Sequence, residues 1–210
     1  MGRASICGVG INDADYVVKI KQELDRVDGK RKQKLIWSCP YYQTWKAMIT
    51  RCYSVAFHKK YPTYKDCTVC EEWKHFSNFK SWMEQQEWQG KELDKDVLVK
   101  DNKLYGPDTC IFIYRKTNCF IRESEASRGD YMIGVSWNKL TQTFMARCSN
   151  PFTGKQEGLG YFVSEKEAHL AWLKRKLDLA VELAVLENNP KLTEALIGRY
   201  KNYDGVEDAE

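Results

Sequence analysis

The stretch that decides the fold reads IGVSWNKLTQTFMARCSNPFTGKQEGLGYFVSEKEAHLAWLKRKLDLA and covers residues 133–180. Its first half contains three short segments of apolar and aromatic residues joined by turn-forming residues, as in consecutive β-hairpins. These segments are residues 133–137, 143–147 and 157–162. Ser164 then stands three residues before Glu167, the spacing of a capping box that begins a helix, and apolar residues recur at helical spacing after it. The pattern predicts a three-stranded antiparallel sheet packed on one long helix.

The region before this stretch, residues 39–127, is dense in aromatic side chains. Pro40 can occupy the first turn of a helix, where its missing N–H costs nothing. Apolar residues then recur every three or four positions, which predicts a helix over residues 41–53 with one buried face. A second amphipathic helix is predicted from the apolar residues between Trp73 and Met83, capped near Ser77 or starting earlier at Glu71.

The end of this region predicts a strand–loop–strand–helix (ββα) unit. Apolar runs at residues 93–99 and 110–114 are separated by turn residues, and a helix is predicted from about Lys116 onward. Together with the later sheet and long helix, this unit places the chain in the α+β fold class.

The two ends of the chain differ in charge. Residues 1–38 form a basic N-terminal arm, in which the run Lys30-Arg31-Lys32-Gln33-Lys34 either follows a DNA backbone or belongs to a flexible linker. After Pro190, a short helix and an acidic tail are predicted. The predicted segments are 1–38, 39–127, 128–189 and 190–210.

Composition narrows the class of protein. Hydrophobic residues make up 43% of the chain, which is too apolar for general disorder. No run approaches the ~18 apolar residues of a membrane helix, and the N-terminus has no signal-peptide core. A cytoplasmic protein without a membrane partner is therefore expected. The net charge of +4 is mild, but its clusters of Lys and Arg are compatible with phosphate contacts.

The chain has eight cysteines, and two of them have the spacing of a metal-binding knuckle. Cys67 and Cys70 could join Cys52 and Cys110 in a tetrahedral structural Zn²⁺ site. A single CxxC motif is equally compatible with thiols that pack in a core as small hydrophobes. We favour buried thiols.

The sheet-and-helix region resembles the DNA-binding domain of plant APETALA/ethylene-response factors, which also occurs inside phage and bacterial His-Asn-His (HNH) homing endonucleases. The matching residues are Ile133-Gly134-Val135-Ser136-Trp137, Phe144-Met145-Ala146-Arg147, Leu159-Gly160-Tyr161-Phe162, Glu165, Glu167-Ala168 and Ala171-Trp172. The resemblance implies that the outer face of the sheet enters the major groove of double-stranded DNA, with arginines and tryptophans touching bases and phosphates. The implied contacts are Trp137, Lys139, Arg147, Lys155 and Arg128. The plant domains carry more arginine on these strands, so weaker or shared binding is expected here.

The aromatic-rich region resembles a phage and prophage family of HNH homing-endonuclease-like proteins. The matching residues are Trp45-Lys46-Ala47-Met48, Arg51-Cys52-Tyr53, Val69-Cys70-Glu71-Glu72-Trp73, Phe76, Phe79, Leu93-Asp94-Lys95-Asp96, Asn102 and Tyr105-Gly106-Pro107-Asp108-Thr109-Cys110-Ile111-Phe112-Ile113. The resemblance implies a phage-encoded protein that acts in the host bacterial cytoplasm.

The same resemblance implies a catalytic arrangement. In active HNH nucleases a ββα unit holds one divalent ion, Mg²⁺ or Mn²⁺, and a histidine removes a proton from the attacking water. At the matching positions of this chain, the resemblance implies that Asp94 and Asn118 bind the metal ion. Lys95 stands in the place of the general-base histidine, and Asn102 in the place of a loop asparagine that orients the base.

Lys95 departs from the family pattern, because a lysine is ordinarily protonated at neutral pH and cannot accept a proton. Two alternatives remain. In the first, the chain is a nickase whose base is unusual or is supplied by His58 or His75 brought near in space. In the second, the chain has lost catalysis and kept DNA binding, and Lys95 contacts a phosphate. We favour the second.

A different class of function also stays open, namely a phage-encoded interaction module that binds and inhibits a host protein. Aromatic residues are typical anchors of protein interfaces. The candidates are Trp73, Trp82, Trp88, Tyr131 and Tyr161. Salt dependence separates the two classes, because DNA binding weakens steeply with added salt whereas an apolar protein interface does not.

Overall fold

The computed structural model describes residues 5–27, 30–122 and 130–201. The strands are β1 (Lys19–Val27), β2 (Lys30–Ser38), β3 (Thr68–Val69), β4 (Lys91–Asp94), β5 (Leu104–Tyr105), β6 (Ile111–Tyr114), β7 (Val135–Asn138), β8 (Thr143–Ser149) and β9 (Gln156–Phe162). The helices are α1 (Pro40–Tyr53), α2 (Val55–Lys60), α3 (Phe76–Met83), α4 (Arg115–Ile121), α5 (Glu165–Glu187) and α6 (Pro190–Lys201), with 3-10 turns at Pro62–Tyr64 and Glu72–Lys74. This mixture confirms the α+β class. The chain forms two compact units, residues 1–89 with 100–112, and residues 90–99 with 113–210.

The core of the first unit is built on the aromatic face of α1. Trp45 is fully buried, and its indole N–H donates to the carbonyl oxygen of Trp73 at 2.7 Å. Phe76 of α3 packs against Trp45, with ring centroids 5.5 Å apart. A side chain on Gly10 would lie 3.1 Å from the Trp45 ring, so a glycine lets the N-terminal segment pass close to it. The predicted helix over residues 41–53 is confirmed.

The second predicted helix of this unit is shorter than expected. A 3-10 turn ends before His75, whose backbone is extended, and α3 begins only at Phe76. Ser77 lies inside the helix, and its backbone N–H donates to the Asp13 carboxylate at 2.8 Å. The cap therefore comes from a residue distant in sequence, which corrects the prediction of a cap near Ser77.

The predicted N-terminal arm is a β-hairpin in the described residues. β1 and β2 pair antiparallel, with Lys19 opposite Ser38 and Ile20 opposite Trp37. The sequence indicated a basic arm here but not two nine-residue strands. Elsewhere in this unit, β3 and β5 form a short parallel pair.

The second unit contains the predicted three-stranded antiparallel sheet, in the order β7-β8-β9, and the predicted long helix α5. The capping box is present: the Ser164 hydroxyl accepts from the Glu167 backbone, and the Glu167 carboxylate accepts from the Ser164 backbone. α5 places Trp172 and Leu179, both buried, at its interface with the rest of the unit. α6 packs against α5 and buries Leu192 and Leu196.

The predicted ββα unit is also present, because β4 pairs with β6 and α4 follows directly. Two side chains of α5, Glu187 and Lys176, hold it by polar contacts. Glu187, which is 1% exposed, accepts the Tyr114 N–H at 2.8 Å and lies 3.6 Å from the Lys91 ammonium. Lys176 donates to the Phe120 carbonyl at 2.7 Å. The compact units therefore divide the chain differently from the predicted boundary at residues 127 and 128, since these long-range contacts group α4 with the sheet and α5.

Candidate functional site

The pairing of the three strands assigns each side chain to one of two faces. Residues directly opposite each other in neighbouring strands share a face, and successive residues alternate. Ala146 is fully buried, so its row, with Val135 and Gly160 opposite, lies on the helix side of the sheet. The next row, Ser136 with Met145 and Tyr161, lies on the outer face.

Arg147 is exposed on the outer face. A register shift after Ala146 pairs Arg147 with Gly158, so no side chain of β9 lies directly opposite the Arg147 side chain. Tyr161 is 60% exposed on the same face. Glu157, the one acidic residue of the three strands, pairs with Cys148 on the helix side and accepts from Arg175 of α5 at 2.7 Å. The outer face of the strands therefore carries a cation and no carboxylate.

Trp137 requires a correction to its implied position. It pairs with Phe144, their ring centroids are 4.8 Å apart, and Phe144 shares a face with Ala146. Trp137 therefore lies on the helix side at the margin of the sheet, 37% exposed, rather than on the outer face. The aromatic residue on the outer face is Tyr161. Strand alternation counted from the apolar Val135 could have shown this from the sequence.

The implied lysine contacts lie in the two turns of the sheet. Lys139 follows β7, in a turn where the Asn138 side chain accepts the Leu140 N–H at 3.0 Å. Lys155 precedes β9, and its N–H donates to the Thr153 hydroxyl at 3.3 Å. Both lysines are exposed. Because the two turns are at opposite ends of β8, the exposed cations extend over roughly 20 Å, with Arg147 between them. Arg128 lies outside the described residues.

A cavity of about 520 Å³ adjoins Arg147. Its described lining contains four cationic side chains, Lys116, Arg122, Arg147 and Lys176, and no Asp or Glu. Lys176 also lies 3.6 Å from the centre of the Phe120 ring.

Asp94, the expected metal-side carboxylate, is the last residue of β4 and is 9% exposed. Its Oδ1 accepts the backbone N–H groups of Asp96 and Val97, at 2.8 and 2.7 Å. Burial raises the pKa of Asp94 above its ordinary value, although these two hydrogen bonds favour the carboxylate. Part of its acceptor capacity is therefore used to close the turn after β4.

Lys95, in the place of the general base, is 5% exposed, and its ammonium forms an ion pair with Asp96. Asn118 is on α4, as predicted, and its amide donates to the Glu92 carboxylate at 2.8 Å. Sequence reasoning missed Glu92, which stands two residues before Asp94 on β4. Glu92, Asp94 and Asn118 carry oxygen atoms of the class that Mg²⁺ and Mn²⁺ prefer, and Glu92 contacts Asn118 directly.

The remaining candidates for the catalytic arrangement have other partners. Asn102 belongs to the first unit, where its amide donates to the Leu104 carbonyl at 2.7 Å. In that unit His58 donates to the Arg51 carbonyl at 2.8 Å, and His75 lies 3.3 Å from the Asp13 carboxylate. The single histidine in the sequence of the second unit, His169, is buried, and its Nδ1 donates to the Ile133 carbonyl at 2.9 Å.

The four cysteines proposed for zinc all belong to the first unit. Cys52, Cys67 and Cys110 are buried, and Cys70 is partly buried. Burial raises the pKa of the Cys70 thiol, which disfavours the thiolate that zinc binds. In the ranges 5–27, 30–122 and 130–201, no group of three or more His, Cys, Asp or Glu side chains is arranged to hold a metal ion. Structural zinc stays the less favoured alternative to buried thiols, and this geometry does not support it.

Of the five aromatic residues that favoured a protein-interaction module, one is buried, two, including Trp88, are partly buried, and two are exposed. Trp73 is 2% exposed, and Trp82 is partly buried against the Trp73 ring, with centroids 4.5 Å apart. Tyr131 and Tyr161 are exposed. Within the part of the chain that the structure describes, no helix is both long and apolar enough to cross a membrane.

Comparison of the chain with protein-family models, with curated proteins and with solved structures gives no match in any of the three. The resemblances to HNH homing endonucleases and to ethylene-response-factor domains therefore stay predictions from the sequence.

Proposed function

We propose that the chain is a double-stranded-DNA-binding protein of the HNH homing-endonuclease type, in which metal-dependent nicking is weak or lost. The observation that carries the proposal is the outer face of the β7–β9 sheet. This face holds Arg147 and Tyr161, is flanked by Lys139 and Lys155, and has no carboxylate on its strands. Such a face matches a polyanion in charge.

The roles of these residues follow from their chemistry. Arg147 can donate two hydrogen bonds to a guanine edge in the major groove, and Tyr161 offers a ring and a hydroxyl beside it. Lys139 and Lys155, at the two ends of β8, are suited to contacts with phosphates, which fix the orientation of the protein without reading sequence. With one arginine on the strands, we infer binding of modest specificity.

The state of the ββα unit supports binding more than cleavage. A divalent ion held by Asp94, Glu92 and Asn118 would neutralise charge on a scissile phosphate. The place of the base, however, is taken by Lys95, whose ammonium is paired with Asp96. The one histidine of the second compact unit, His169 on α5, is buried, and its Nδ1 donates to the Ile133 carbonyl. These features favour binding over cleavage.

The double charge reversal Arg147→Glu with Lys139→Glu is expected to weaken binding to a mixed-sequence duplex by about a hundredfold. The salt dependence of the remaining binding should fall by about one phosphate contact, that of Lys139. A mobility-shift titration at several salt concentrations measures both effects. Far-UV circular dichroism should remain unchanged, because both side chains are exposed.

A matched control is the double variant Lys166→Glu with Lys174→Glu. It makes the same change of charge on exposed positions of α5, on the opposite side of the sheet. Binding by this variant should weaken far less. Equal losses in the two variants would show that only net charge matters and would remove the sheet face as the contact surface.

Incubation of supercoiled plasmid with the protein and Mg²⁺ or Mn²⁺ is expected to give little or no nicking above the level seen with EDTA. Asp94→Ala should leave the mobility shift within about threefold of the wild type, since one buried carboxylate contributes little to phosphate binding. Strong metal-dependent nicking that disappears in Asp94→Ala would show that the ββα unit is catalytic. Lys95→Ala in the same assay would then decide whether Lys95 takes part.

A further inference from the structure

The β1–β2 hairpin in the first unit presents an unusual amount of apolar surface. Five of its large side chains are between 43% and 52% exposed. They are Ile20, Leu24, Leu35, Ile36 and Trp37. A two-stranded hairpin is at best marginally stable alone in water, and clustered apolar surface of this kind usually meets a partner. The hairpin is therefore a candidate interaction surface.

The register sorts the exposed side chains onto two faces. Ile20 pairs with Trp37, Gln22 with Lys34 and Leu24 with Lys32, and these pairs alternate with the others along β1. Ile36 is the extra residue that a register shift inserts in β2. We call the face with these three pairs the lysine–tryptophan face. Its residues are Ile20, Gln22, Leu24, Lys32, Lys34 and Trp37.

The lysine–tryptophan face has two cations and no carboxylate, whereas the opposite face carries the one described acidic side chain of the hairpin, Glu23. On that opposite face the Lys21 ammonium donates to Gln33 at 3.2 Å. Lys32 and Lys34 are exposed. Among the described side chains of this face, the charged ones that lie with its apolar residues are therefore both cations.

Charge decides which partner fits. Between residues 19 and 38 the sequence contains seven Lys or Arg and three Asp or Glu, an excess equal to the +4 of the whole chain. Two copies of such a ribbon repel each other, which disfavours pairing of the hairpin with itself. A polyanion is attracted, and the major groove of B-form DNA is wide enough for a two-stranded β-ribbon.

The hairpin is attached to the core of its unit at its base. The Cys39 N–H donates to the Val18 carbonyl at 2.9 Å, where α1 begins. The Lys19 ammonium lies 5.1 Å from the centre of the Tyr42 ring, and the Tyr16 hydroxyl is 3.2 Å from the Cys39 sulfur. These contacts fix the direction of the ribbon, so it differs from the flexible linker that the sequence left open.

We propose that the β1–β2 hairpin is a second DNA-contacting element, which places its lysine–tryptophan face in a groove of double-stranded DNA. Lys32 and Lys34 contact phosphates, and Trp37 with its aliphatic neighbours covers sugar and base edges. The proposal rests on the proposed binding of double-stranded DNA but not on the β7–β9 sheet, because the two surfaces belong to different units.

The test compares variants that make the same change on opposite faces of the hairpin in the full chain. Lys34→Glu is paired with Lys21→Glu, and Ile20→Ala with Leu35→Ala, whose side chains are 50% and 51% exposed. Binding to a mixed-sequence duplex is titrated between about 50 and 200 mM salt. Lys34→Glu should lower the salt slope by about one and weaken binding severalfold more than Lys21→Glu. Ile20→Ala should weaken binding more than Leu35→Ala.

A photo-crosslinking residue at Gln22 or at Gln33 gives a readout that does not depend on charge. These exposed positions lie on opposite faces, and DNA crosslinks should form at Gln22 in clear excess. Equal crosslinking yields at the two positions, or equal effects of the paired variants, would overturn the proposed contact of the hairpin with DNA. The Arg147→Glu variant tests the contact of the β7–β9 sheet separately. A shift from dimer to monomer in Ile20→Ala, with DNA affinity unchanged, would overturn it in favour of self-association. Absence of any binding to the duplex would overturn both proposals.

Discussion

Replacement of Glu187 by alanine is expected to lower the free energy of unfolding of the second unit by about 3–5 kcal/mol. The Glu187 side chain has no solvent exposure, accepts the Tyr114 N–H and faces the Lys91 ammonium, which is 8% exposed. Its removal leaves a buried positive charge without this carboxylate and a buried N–H without this acceptor, and both losses are costly. Thermal and denaturant unfolding followed by circular dichroism measure the effect.

Glu194→Ala serves as the control, because Glu194 is exposed on α6 and its replacement should change stability by no more than about 0.5 kcal/mol. Lys91→Met tests the ion pair itself. In a Glu187→Leu background, Lys91→Met should restore part of the lost stability, since an apolar pair can replace a buried ion pair. If the two changes simply add, Lys91 and Glu187 are not coupled and the expected loss needs another cause.

Gly134→Ala is expected to destabilise the same unit by about 2–5 kcal/mol. Gly134 has φ +81°, and a Cβ there would overlap the Trp172 ring, with Nε1 at only 2.7 Å. The Gly134 carbonyl also accepts the Arg147 N–H at 2.9 Å, so the backbone cannot move away without loosening the start of the sheet. Unfolding measurements and the near-ultraviolet signal of Trp172 report the change.

Gly154→Ala separates backbone strain from the steric overlap. Gly154 has φ +68°, but nothing lies within 4 Å of the position of its Cβ. Its replacement should cost about 1–2 kcal/mol, for the left-handed backbone alone. In a Trp172→Leu background, the additional cost of Gly134→Ala should shrink toward that of Gly154→Ala. An undiminished cost there would assign the effect to the backbone rather than to the indole ring.

The sequence predicted the elements whose signals are local. Ser164 and Glu167 form the capping box, and the three strands follow the turn residues that separate them. The helix that begins at Pro40 and the order of the ββα unit were likewise readable from spacing. Each of these signals lies within a few residues of the structure that it specifies, so one sequence suffices to read it.

Local sequence did not predict the β1–β2 hairpin or the cap of α3. Ile36 interrupts the alternation of β2 and puts apolar residues on both faces, so the period-two pattern of a strand is blurred. The acceptor for the start of α3 is Asp13, which is 64 residues from Ser77. Contacts over such distances depend on the folded chain and leave no mark in local composition.

The same distinction between local signals and long-range contacts applies to the candidate site. The positions of Asp94 and Asn118 on β4 and α4 were predicted, whereas the partners that define their state, Glu92 for Asn118 and Asp96 for Lys95, emerged only from the structure. The resemblance implied that Trp137 lies on the outer face of the sheet, whereas strand alternation counted from Val135 puts it on the helix side. Whether these surfaces bind DNA stays a prediction that the proposed variants test.

The long helix α5 begins under the sheet at its capping box and ends at Glu187, on the backbone of β6. One element thus serves as structural support for both halves of the second unit, and their folding should be cooperative rather than sequential. The ββα unit is then indispensable whatever its own chemistry, because the helix under the sheet needs Tyr114, Lys91 and Phe120 as its partners. Selection for a stable sheet would alone be enough to preserve it.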